Sequence, residues 1–219
     1  MLRHPRRFVA CLVMLIASCG RSTPPPAPAT YGAPGYGGYG YAEPVGQFKD
    51  DAQSNAQLDP ESLALDFVDS TGKPVNINDY RGSKNVVLIF TRGYPGFVCP
   101  NCSTLTSRLI ANHDEFTKRD AEVLVVYPGD KAHLDDFVKA SKPVQSADKP
   151  VPFAILLDEG FQAVDKLKIR ADLAKPSTFI LDKEGQVRFA YVGASSADRP
   201  SIKAMLDQLD AIQGTGKTL

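Results

Sequence analysis

The sequence predicts an α/β domain with a mixed central sheet flanked by helices. Three observations carry that prediction. The runs "NVVLIF" and "AEVLVV" are continuously apolar, as in strands buried on both faces of a parallel sheet. Segments with apolar residues at helical spacing stand between such runs. Two alternating segments are broken by Gly-containing turns, at Ser70–Lys73 and Lys183–Gly185, and read as hairpins. Strands and helices alternate, then a hairpin and a helix finish the chain.

The elements follow in order. "LALDFVDSTGKPVNINDYRG" is the first hairpin, and Asn85 to Gly93 the first buried strand. Ser103 to Arg119 places Leu105, Leu109, Ile110 and Phe116 on one helical face, with basic residues late, as a helix C-terminus favours. "AEVLVVYPG" is the second buried strand. "DKAHLDDFVKAS" is a helix with Asp130 as its N-cap. A short strand "VPFAILLD", a helix "EGFQAVDKLKI" and the hairpin "STFILDKEGQVRFAYVG" come next. "RPSIKAMLDQLDAIQ" closes the domain as a helix, with Pro200 near its first turn.

With 219 residues and 43% hydrophobic content, the chain builds one core and has sequence left over. The surplus lies at the amino end. Arg3, Arg6 and Arg7 precede an apolar stretch from Phe8 to Ala17, too short for the roughly 20 residues a membrane-spanning helix needs. "LIASCG" then resembles a bacterial lipobox, which makes residues 1–18 a lipoprotein signal peptide and Cys19 the acylated first residue. Residues 19–57 are rich in Pro, Gly and Tyr without apolar periodicity and read as a disordered tether. Residues 58–219 form the domain. The expected location is the cell envelope, lipid-anchored and facing the periplasm or exterior. The net formal charge is zero, which gives no footing for nucleic acid.

Of four cysteines, Cys11 leaves with the leader and Cys19 carries lipid, so Cys99 and Cys102 are the remaining thiols. They stand as C-P-N-C between a buried strand and a helix. Unpaired amides and the helix dipole favour a thiolate there. Cys102 lies one turn on, within reach of Cys99. Pro100 opens the helix at no cost in hydrogen bonds. This reading makes Cys99 the exposed nucleophile and Cys102 the buried resolving thiol. A zinc site wants four ligands, and the histidines left, His113 and His133, lie apart on helices, so no metal is expected. A structural disulfide closing so short a loop gains little.

The order strand, C-x-x-C, helix, strand, helix, "KPSTFILDKEGQV" resembles a thioredoxin fold. More closely, "LDFVDSTGKPVNINDYRGSKNVVLIFTRG", "FVCP" and "TFILDKEGQVRFAYVG" resemble the peroxiredoxin-like redoxin family, across about Leu58 to Gln213. The resemblance implies that Cys99, in "FVCP", is the peroxidatic residue. That family carries a proline seven residues before its cysteine, a threonine or serine three before, and an arginine ahead of the "TF" strand. Counted from Cys99 those positions hold Arg92, Gly96 and Pro176–Ser177. The hydroxyl is therefore missing, and the cation must come from elsewhere, Arg92 or Arg170. Thioredoxin-like disulfide reductases carry a cis-proline beside the cysteines, a part that falls to Lys175–Pro176. The expected function is thus exported thiol–disulfide exchange with an external thiol reductant protein and no cofactor. Peroxidatic reduction of hydroperoxides is the alternative. Delivery of Cu(I) by the thiolate pair stands third, because copper-carrying relatives use C-x-x-x-C and a later histidine, and none follows His133.

Overall fold

The computed structural model describes residues 46, 48–144 and 147–215, which fall in one unit, Ala42–Leu219. The leader, Cys19 and the tether up to residue 45 lie outside the described residues, together with the expectations attached to them.

The centre of the sheet is β3 (Asn85–Phe90), buried at every position. It pairs in parallel with β4 (Ala121–Pro128), which pairs in parallel with β5 (Ala154–Asp158). Antiparallel strands extend both sides. β1 (Asp66–Asp69) joins β5, with β2 (Pro74–Asn76) beyond it, and β6 (Ser177–Leu181) joins β3, with β7 (Val187–Val192) beyond it. The order is β2-β1-β5-β4-β3-β6-β7, a mixed sheet.

Strand alternation divides the core. Val86, Leu88 and Phe90 of β3 face a cluster with Phe67, Leu124, Val126, Val164 and Phe179. Val87 and Ile89 face the other side, against Leu105, Leu109, Phe116, Met205 and Leu209 from the helices. The helices are α1 (Pro100–Ala111), α2 (His113–Thr117), α3 (Leu134–Ser141), α4 (Gln162–Lys166) and α5 (Ile202–Thr215).

The helix expected from Ser103 to Arg119 is two. The Asn112 amide and its side-chain Nδ2 both donate to the Arg108 carbonyl, at 3.1 and 2.8 Å, which ends α1. Asp130 does cap, but onto a single 3-10 turn ahead of α3, accepting the Ala132 N–H at 2.8 Å. The helix expected over residues 159–169 shrinks to α4, because Gly160 and Phe161 adopt positive φ just before it.

The packed domain also begins earlier than residue 58. Phe48 and Ala52 are buried in the helix-side core. Asn55 pairs through its side chain with both the amide and the carbonyl of Val192, at 2.8 and 3.0 Å. The segment thereby covers the exposed edge of β7, whose ladder groups otherwise lack a partner. Among the described residues no helix is long and apolar enough to cross a membrane.

Candidate active site

The site begins where β3 stops. Thr91 is still held to the sheet, its amide and hydroxyl both donating to the Val126 carbonyl at 3.0 Å. The chain then turns away through Gly93, at φ +89°. A side chain there would come within 2.8 Å of the Pro128 carbonyl, so glycine is required. Tyr94 stacks on His133 with ring centroids 3.7 Å apart, which ties the loop to the α3 side. The loop returns at Cys99, the N-cap of α1, and Pro100 sits at the first helical position.

Cys99 and Cys102 are both buried, 3% and 1% exposed, in a small cluster with Tyr127, Leu134, Phe137 and Ile155. The expected exposure of Cys99 is thus not met: the cluster closes over both sulfurs. Around Cys102 the donors converge. The Arg92 amide points at its Sγ at 3.4 Å, and Nη2 of Arg199 at 3.1 Å. Arg199 is itself buried, 2% exposed, and its Nε donates to the Ser196 carbonyl at 2.8 Å. Among the described residues no carboxylate forms an ion pair with it. A buried guanidinium is costly without a counter-charge, and the group that faces it here is the Cys102 sulfur.

The two thiols are driven apart by these surroundings. For Cys102, burial raises the pKa, but the bond from Cys99, the Arg199 charge and the Arg92 amide outweigh it and hold the thiol below its ordinary value. For Cys99, its bond to Cys102, then burial and the neighbouring negative sulfur, push the thiol up, with only partial relief from Arg199. The surroundings therefore favour the thiolate at Cys102 and the protonated thiol at Cys99. Tyr127 stays protonated as well, pushed up to about 12 by burial and by the Cys102 charge.

The other expected residues fall as follows. Arg92 contributes its amide to Cys102, and its side chain is half-exposed. Arg170 forms a two-bond ion pair with Asp165, at 2.8 Å each, and lies over the Phe161 ring, so it does not supply the missing cation. The Lys175–Pro176 bond is trans, contrary to the expected cis-proline. Lys175 is exposed and donates its amide to the Ile169 carbonyl at 2.8 Å. Pro176 is buried next to the end of β3, since Ser177 pairs with Phe90, and its carbonyl accepts the Gly193 amide at 2.8 Å. It anchors the loop that carries Arg199 and presents no free carbonyl to a substrate.

Sequence reasoning missed Arg199, which lies 97 residues from Cys102, just ahead of the closing helix. The family spacing was counted from Cys99; counted from Cys102 it reads differently. Seven residues before Cys102 stands Pro95, and three before stands Cys99. The spacing expected of the family is met from Cys102, with a thiol in place of the hydroxyl.

Comparisons with known proteins identify the family. The model of the AhpC/TSA family matches residues 56–190. The chain is 28% identical over 132 residues to peroxiredoxin Bcp of Bacillus subtilis, covering 56% of this chain and 76% of that protein. It is 30% identical over 142 residues to alkyl hydroperoxide reductase C of Mycolicibacterium smegmatis, covering 64% and 68%. Among solved structures, AhpC of Mycobacterium bovis superposes with a TM-score of 0.53 at 26% identity, over 65% of this chain and 75% of that one. These relatives overturn the sequence preference for exported thiol–disulfide exchange, and the copper-delivery reading with it, because the proteins the chain matches are peroxiredoxins and a hydroperoxide reductase by name. Fold, paired thiols and family model converge: this chain is a thiol-dependent oxidoreductase of thioredoxin fold and belongs to the AhpC/TSA family.

Proposed function

We propose that the protein is a thiol peroxidase in which Cys102, not Cys99, attacks the hydroperoxide. The observation that carries this reading is the buried Arg199 guanidinium 3.1 Å from Cys102 Sγ. It favours the thiolate before reaction and faces the negative charge that develops on oxygen during it.

The chemistry follows from the two proton affinities. The Cys102 thiolate attacks one peroxide oxygen; the S–O bond forms and the O–O bond breaks. Cys102 becomes a sulfenic acid and an alkoxide leaves. The Cys99 thiol, buried beside Cys102 in the same cluster, gives its proton to that alkoxide, which departs as alcohol or, from hydrogen peroxide, as water. Cys99 is then the thiolate that attacks the Cys102 sulfur. A disulfide forms and hydroxide leaves. Two electrons from an external thiol reductant protein reopen it. Losing its proton only after the first step keeps Cys99 from competing for the peroxide.

For the rest of the chain the support is sequence alone. The basic leader, the apolar stretch and "LIASCG" support export and lipidation at Cys19, with the domain held at a membrane surface facing the periplasm or exterior. Cys19→Ser should release the protein into the soluble fraction; continued membrane association would refute the anchor.

The peroxidase reading is tested by mixing the fully reduced protein with one equivalent of hydrogen peroxide and following disulfide formation, with free cysteine as reference. A rate far above free cysteine is expected. A rate equal to it would reject the reading.

A further inference from the structure

The segment that enters the domain touches the site at two levels. Asn101, beside Cys102 and 1% exposed, accepts the Gly46 amide on Oδ1 at 3.0 Å and gives Nδ2 to the Ser196 hydroxyl at 3.4 Å. The Ser196 carbonyl is the acceptor that orients the Arg199 guanidinium. Three residues past Gly46, the main chain of Lys49 brackets Arg199: its amide donates to the Arg199 carbonyl and its carbonyl accepts the Ser201 amide, each at 2.8 Å. The Lys49 ammonium reaches Asp198 at 2.7 Å and the Tyr191 hydroxyl at 2.8 Å. Asp198 in turn accepts the Tyr191 hydroxyl and the Ala194 amide, which closes the loop before Arg199.

We propose that Asn101 and Lys49 are positioning residues that hold the Arg199 guanidinium on Cys102 Sγ, so that the segment joining tether to domain is part of the peroxidatic site. The proposal rests on Cys102 being the attacking thiol. Neither residue touches the sulfur. Both act on the loop whose Arg199 does, Asn101 through Ser196 and Lys49 through Asp198 and the main chain. A guanidinium that drifts from 3.1 Å loses attraction steeply in a buried setting. The thiolate is then less favoured, and the site works only at higher pH. The titratable groups that face Cys102 are Cys99 at the start of its own helix, Arg199 from the loop after β7 and Tyr127 from β4; the variants below leave all three in place.

The test is the pH dependence of Cys102 alkylation by iodoacetamide and of peroxide oxidation in the full chain, with the alkylated residue identified by mass spectrometry. Asn101→Leu and Lys49→Met should each move both profiles to higher pH by about one unit, slowing peroxide oxidation about fivefold near pH 6, with the deficit vanishing at pH 9. Lys49→Arg should restore the profile. Lys49 is exposed, so Lys49→Met remains informative should Asn101→Leu fail to fold. Unshifted profiles, or a loss equal at every pH, would overturn the proposal. If the unsubstituted protein is alkylated first at Cys99, the reading on which it rests fails instead, and the two failures are told apart in the same experiment.

Discussion

The start of α1 and the loop from Gly193 to Ser201 make one site, yet they could hardly differ more in how they are built. The first is local: a strand ends, a glycine turns the chain, and a proline-started helix delivers two sulfurs three residues apart. The second is assembled from afar. Its glycine is tied to Pro176, its aspartate to Lys49, its serine to Asn101, and its arginine to Cys102. The local part provides the reactants. The distant part decides which of them carries charge. Two cysteines in nearly the same helical setting are pushed in opposite directions, first by their interaction with each other and then by a buried guanidinium that one faces more closely than the other.

Separating the two regions should give effects of graded size. Cys102→Ser should abolish peroxide turnover, whereas Cys99→Ser should still consume one equivalent and stop at the sulfenic acid; both are read by peroxide loss in single turnover. Arg199→Met, which removes the cation without touching the local part, should slow oxidation by about 10²–10³-fold, the size of losing one donor to a developing oxyanion. The pH profile gives the sign. Because the Cys102 thiol lies below its ordinary value, the protein should keep its rate through neutral pH and lose it only as pH falls through that lowered value. In Arg199→Met the fall should begin at higher pH, toward the ~8.5 of a free thiol. Pro176→Ala should cost about 0.5–1 kcal/mol of stability in denaturant unfolding and slow oxidation less than Arg199→Met does, since it loosens only the anchor of the loop. Lys175→Ala, on the exposed side of that anchor, should stay within about ±0.5 kcal/mol and leave the rate unchanged.

The same division governs what the sequence discloses. β3 is legible because an unbroken apolar run has few other homes, and both hairpins are legible because turn chemistry is local. The break at Asn112 is less so, since it depends on a side chain choosing the Arg108 carbonyl over solvent. The site is legible as a pair of thiols after a strand. Its polarity is not. Burial of Cys99 comes from Tyr127, Leu134 and Phe137 folding over it, and the lowering of the Cys102 thiol comes from Cys99 together with Arg199, which the β6–β7 hairpin returns to the site. One signal was available locally: Pro95 and Cys99 stand at the family's spacing when counted from Cys102, but the string "FVCP" draws the eye to the first sulfur.

The central claim is that the second cysteine attacks. It is tested most directly by treating reduced Cys99→Ser and Cys102→Ser proteins with one equivalent of hydrogen peroxide in the presence of dimedone and following the sulfenic-acid adduct over time. Rapid labelling of Cys102 in the first, and labelling of Cys99 in the second no faster than free cysteine, is the expected result. Rapid labelling of Cys99 with Cys102 inert would contradict the account.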